Sequence, residues 1–159
     1  MSPEFQYDIR PLADHDGEFI TAVAPRLYPG PTTSPRDPER MRAFFAAFTP
    51  ADLTRDAGTE AFVATYAGQD EPLGLLVIKP DFDYFTDHPR AYVEILVVAE
   101  VAEGQGVGRV LMAYAEQWGR NHDCHEVVLD VFANNPSAIA FYERVGFAPD
   151  HLRMSKSLA

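Results

Sequence analysis

A single cysteine, Cys124, is all the thiol chemistry available to this chain, so no intrachain disulfide can form and a cross-linked secreted scaffold is excluded. Basic residues are also scarce. Thirteen Lys and Arg stand against 24 Asp and Glu, a formal charge of −11, which excludes broad recognition of a polyanion and leaves no expectation of nucleic-acid binding. A cationic small partner such as an amine is easier to accommodate. No apolar run approaches the about 18 residues that span a bilayer. The opening "MSPEFQYDIRPL" lacks the basic-then-apolar pattern of a signal peptide. Together these features read as a cytoplasmic protein with no membrane partner. The 159 residues are expected to form one domain over 1–159.

Two familiar phosphate-binding motifs are missing as well. No Gly-Lys pair occurs, which removes the P-loop, and the glycines from Gly104 to Gly108 do not complete G-x-G-x-x-G. No G-x-S-x-G supports a hydrolase elbow. His122, Asp123, Cys124 and His125 crowd together without a second ligand pair at zinc spacing, so no metal site is expected.

What is present is a βα unit with a glycine loop. The alternation and turns predict strands over 5–10, 60–68, 72–80, 91–98 and 126–132, and a short terminal strand within 153–158. Helices are expected over 14–27, 41–48, a long stretch after Gly106, and 136–145. Val107, Val110, Leu111, Tyr114, Ala115 and Trp118 form one apolar face of the long helix. The order implies a mixed sheet, antiparallel early, with one parallel crossover late. "GQGVG" then opens a helix beyond the end of "EILVV", where free N–H groups and the helix dipole accept an anion. Asn135 reads as an N-cap, Pro136 as N1 and Gly146 as C′ of the last helix. By spacing alone Tyr142 is a core aromatic.

These two stretches together resemble the GNAT superfamily of N-acetyltransferases. The family's diphosphate loop, Arg or Gln followed by x-x-Gly-x-Gly or Ala, is met at Gly106 and Gly108, after Leu96 and Val98 of its strand motif. Its later pattern, Asn-x-x-Ala-x-x-x-Tyr and then Gly-Phe, is met by Asn135, Ala138, Tyr142, Gly146 and Phe147. The resemblance implies a GNAT fold of the α/β (α+β) class: one mixed, mostly antiparallel sheet of six to seven strands with about four helices. The acetyl-CoA-binding core would cover about 91–147. It further implies transfer of the acetyl group of acetyl-CoA to a primary amine of a small molecule or peptide, in a protein compatible with a homodimer. The alternative is a CoA-binding module without catalysis.

The site residues implied are Leu96, Val97 and Val98 for the pantetheine arm, with Gln105, Gly106, Val107, Gly108 and Arg109 for the diphosphate. Asn135 is either a cofactor contact or a plain N-cap. Tyr142 matches the family's general acid. Glu94 is a candidate base, expected on the same face as Tyr92, Leu96 and Val98, where burial would raise its pKa; a solvent-facing carboxylate is the other reading. Asp83, Asp87 and His88 lie in an acidic, aromatic loop that either lines an acceptor site or is simply solvated. Glu103 stands where the family has Arg or Gln, and puts a carboxylate beside the expected diphosphate.

Overall fold

The computed structural model describes residues 6–158, so Phe5, the expected start of the first strand, lies outside the described residues. Five strands form one sheet in the order β1 (Tyr7–Pro11), β2 (Glu60–Tyr66), β3 (Pro72–Phe82), β4 (Pro89–Val98) and β5 (Val127–Leu129). Neighbours are antiparallel except β4 and β5, which run parallel. Five α-helices flank them: α1 (Gly17–Val23), α2 (Pro38–Ala46), α3 (Pro50–Leu53), α4 (Val107–Asn121) and α5 (Pro136–Arg144).

Each departure from the sequence expectation has a local cause. The helix expected over 14–27 is α-helical only from Gly17 to Val23, because Pro25 has no N–H to continue the ladder and the last turn tightens to 3₁₀. Helix α2 starts earlier than the apolar spacing suggests. Asp37 caps it by accepting from the N–H groups of Glu39 and Arg40, with Pro38 at N1. The unexpected α3 is a single turn held by a capping box between Thr49 and Asp52.

Among the described residues the sheet has five strands rather than six or seven, and 153–158 form no terminal strand. Leu152, Met154 and Leu158 are exposed and pair with no neighbouring strand, and a strand exists only through its ladder.

Two cores sandwich the sheet. On one side α4 lays Val107, Leu111, Met112, Ala115 and Trp118 onto Phe62, Leu76, Ile78, Ala91 and Val93. On the other, Ile20, Val23 and Leu53 pack on Val63, Leu75, Val77, Ile95 and Val97. Trp118 is buried yet satisfied, its indole N–H donating to Glu60 Oε2 at 2.6 Å.

Gly74 lets α4 come close to the sheet. A Cβ there would stand 2.9 Å from Leu111 Cδ1 and Val107 Cγ1 and 3.2 Å from the Val97 carbonyl. Gly74→Ala is therefore expected to cost about 1–3 kcal/mol by overpacking. The check is a thermal melt, expected to fall by roughly 2–12 °C for a domain of this size.

Candidate acetyl-transfer site

Strand β4 carries one residue too many for its partner. Val77 pairs with Ile95 and Ile78 with Val93, so Glu94 is the extra residue of a β-bulge. Before the bulge, Ala91 and Val93 face α4; after it, Leu96 and Val98 do, while Ile95 and Val97 turn to the opposite core. Simple alternation grouped Glu94 with Leu96 and Val98, and the bulge overturns that grouping. Nor is Glu94 buried. Its side chain is 39% exposed and its carboxylate meets Lys79 Nζ at 3.3 Å.

Beyond Val93 and Leu129 the parallel pairing ends, so β4 from Glu94 onward has no strand on its β5 side. The two strands part where Tyr92 donates its hydroxyl to Asp130 Oδ2 at 2.9 Å. Burial and then the Asp130 carboxylate push the Tyr92 phenol far above its ordinary value.

The open strand leads into the glycine loop. Gly106 takes φ +91°, a left-handed conformation that glycine alone adopts cheaply, and there caps α4. The N–H groups of Val107, Gly108 and Arg109 have no partner among the described residues, as expected of a first helical turn. Gln105 does not join them, because its N–H donates to the Ala102 carbonyl at 3.4 Å. Instead Gln105 anchors the loop. Its carbonyl accepts from Tyr7 Oη at 2.8 Å, its Oε1 from Tyr66 Oη at 2.7 Å, and its Nε2 donates to the Val101 carbonyl at 2.9 Å. The guanidinium of Arg109 is exposed and makes no ion pair among the described residues.

Gly108 lets a third element in. A Cβ on it would lie 3.2 Å from Phe141 Cζ and 3.7 Å from Val98 Cγ2, so α5, the loop and the end of β4 converge there. The next residue of α5 is Tyr142, half-buried between Phe141 and Phe147. Its hydroxyl has no hydrogen-bond partner among the described residues, and burial raises its pKa, so it keeps its proton at neutral pH. Asn135 is used as an N-cap, its Oδ1 accepting from Ala138 N–H at 3.1 Å, which leaves its amide NH₂ free.

Sequence reasoning missed Arg26. Its guanidinium pairs with Glu103, and its Nε donates to the Val98 carbonyl at 2.8 Å. The carboxylate that threatened to repel a diphosphate thus has its counter-ion 77 positions away in sequence. Nothing local signals such a pair. Arg26→Ala is expected to weaken acetyl-CoA binding by roughly fivefold, the scale of a partly exposed ion pair, and Arg26→Ala with Glu103→Gln to recover most of it. Calorimetric titration of both variants checks this.

Other sequence candidates stay apart from this convergence. Glu94 lies on the opposite side of the sheet from Tyr142. Asp83 and His88 close their own hairpin: Asp83 N–H donates to the His88 carbonyl at 2.9 Å, Asp83 Oδ1 meets Arg90 at 3.7 Å, and His88 stacks on His125. That hairpin tip sits roughly 30 Å of strand away from Val98. Among the described residues, no helix is long and apolar enough to cross a membrane, and no group of three or more His, Cys, Asp or Glu could hold a metal ion.

Comparison with known proteins now decides the family. The model of the acetyltransferase (GNAT) family matches residues 22–147. The chain belongs to the GNAT family. An acetyltransferase of Agrobacterium fabrum is 41% identical over 56 residues, 35% of this chain and 39% of that protein. A glucosamine 6-phosphate N-acetyltransferase of Trypanosoma brucei brucei is 30% identical over 112 residues, covering 68% of this chain and 72% of the relative. Among solved structures, a protein of Pyrococcus furiosus assigned as an acetyl transferase superimposes with TM-score 0.76 at 25% identity, over 96% of this chain and 100% of that one. The chain spans between 39% and 65% of the length of the first curated relatives it matches.

Proposed function

We propose that this GNAT chain, acting as one domain, is an acetyl-CoA-dependent N-acetyltransferase whose acceptor is a primary amine of a small molecule or peptide. The observation that carries the reading is the convergence at Gly108. An unpaired strand edge, three free N–H groups and Phe141 of α5 meet there, and the next residue of α5 is Tyr142, a protonated phenol without a hydrogen-bond partner among the described residues.

The residues fit the cofactor's chemistry. Val107, Gly108 and Arg109 offer N–H donors and a dipole to a diphosphate, with the Arg109 cation on the adjoining turn. The open edge of β4 at Leu96, Val97 and Val98 offers backbone to an amide-bearing arm, as it would to a strand. The amide NH₂ of Asn135 is available to the same arm. Arg26 holds Glu103 neutralised beside the loop.

Acetyl-CoA supplies a thioester-activated acetyl group. The chain supplies proton handling: Tyr142 Oη holds a proton for the departing sulfur, and Glu94 accepts one from the ammonium of the incoming amine. The two groups stand on opposite sides of the sheet, so donor and acceptor chemistry approach from separate directions.

A thermal-shift titration with acetyl-CoA, beside ATP and NAD, tests this. At 100 times Kd, binding adds about 2.7 kcal/mol, worth roughly 5–10 °C here. A shift specific to acetyl-CoA, followed by amine-dependent thiol release, is the expected result. A shift without thiol release across an amine panel would leave a binding module, and no shift at millimolar ligand would defeat the reading.

A further inference from the structure

On the sheet face opposite α4, a cavity of about 210 Å³ opens between α2, α3 and the bulge of β4. One wall is aromatic. Phe44, Phe45 and Phe48 meet edge to face, with centroids 5.1 to 5.9 Å apart. The other wall is acidic, lined by Asp52, Asp56 and Glu94 with no cationic side chain among the lining residues.

The counter-ions stand behind that wall. Lys79 Nζ lies 3.3 Å from Glu94 and 3.8 Å from Asp56, and Arg55 pairs with Asp52. Three carboxylates against two cations leave one negative charge for a ligand to balance. Thr59 lines the same cavity. It is only 8% exposed, and its hydroxyl has no hydrogen-bond partner among the described residues. A buried hydroxyl left unpaired is costly, so it marks a place where a ligand polar group completes the bonding.

We propose that this cavity binds a primary monoamine with a small aryl or alkyl body. The ammonium sits among Asp56, Glu94 and the Thr59 hydroxyl, and the body lies against the three phenyl rings. The rings take apolar surface of the body out of water, and a ring face turned toward the ammonium adds cation–π attraction to the carboxylate charge. A polyamine brings more positive charge than the site balances, and the volume falls below the roughly 300–1,000 Å³ of pockets for drug-sized ligands. The inference rests on the acetyltransferase reading, for which it names the acceptor class.

The test is calorimetric titration of 2-phenylethylamine into the protein, alone and saturated with CoA, beside 2-phenylethanol and spermidine. One-site binding of the amine is expected, with the alcohol and spermidine each weaker by about tenfold or more, since each lacks one half of the recognition. Phe44→Ala removes a ring that is 62% exposed and spares the core, so the variant should fold. It should weaken 2-phenylethylamine by about fivefold. Thr59→Val should weaken it by about threefold or more while the melt stays cooperative.

No saturable binding in either condition, a preference for spermidine, or unchanged affinity in both variants overturns the proposal. Acetyl-CoA binding is read separately by its own thermal shift. If the amine fails while that shift persists, the cavity assignment falls and the transferase reading stands; if the amine binds and acetyl-CoA does not, the reverse holds.

Discussion

Replacing Tyr142 by phenylalanine is expected to lower kcat by about 10²–10⁴-fold, the range that a positioned general acid contributes. The KM for acetyl-CoA should change little, because in the proposed role the lost hydroxyl acts at the sulfur during transfer rather than in holding the cofactor. The hydroxyl has no partner to orphan, and the ring stays packed between Phe141 and Phe147, so the fold should tolerate the change. Steady-state thiol release beside a thermal melt separates the two effects. The pH profile sharpens the test. Burial raises the Tyr142 pKa, so the acid is present throughout the neutral range and is lost only as pH climbs past the ordinary tyrosine value. A wild-type profile with an alkaline limb well below pH 10 would assign that limb to another group.

The second large effect is expected at Gly106. Its φ of +91° places any L side chain in a disfavoured region, at a cost of order 1–2 kcal/mol. Relief comes by rotating the peptide, which turns the loop and the first N–H groups of α4 away from their common focus. Gly106→Val should therefore raise the Kd for acetyl-CoA by about 10–100-fold, beyond the strain alone, because several charge-assisted hydrogen bonds are misaimed together. Gly17→Ala is the control, since its Cβ meets nothing within 4 Å and its backbone is right-handed. Calorimetry on both variants decides the matter. Equal affinities for acetyl-CoA would mean that the loop does not carry the diphosphate.

Much of this site was legible in the sequence because its parts are local. The N-cap at Asn135, the glycine loop and the apolar face of α4 are written in residues a few positions apart, and the structure reproduces them. Contacts across the chain were not legible. Arg26 and Glu103 carry no local sign of each other, and Gln105 read as a phosphate donor rather than as the anchor of Tyr7 and Tyr66. The bulge at Glu94 hid for another reason. "YVEILVV" reads as one continuous strand with side chains switching face at every residue, and only the count of partners on β3 reveals the extra one. The terminal strand was expected from the local pattern of residues, whereas a strand is made by its ladder, and none is formed over 153–158.

That extra residue also gives Glu94 a role independent of its carboxylate. Parity along β4 reverses there, so the strand behaves like a reading frame. A substitution at Glu94 changes one letter and keeps the bulge, whereas deleting it merges the two frames into one. Ala91, Val93, Leu96 and Val98 would then follow at every second position on the α4 face, with Ile95 and Val97 still on the other. Neither core needs the extra residue; what it adds is a local bend in β4 and a carboxylate held outside the regular alternation of the strand.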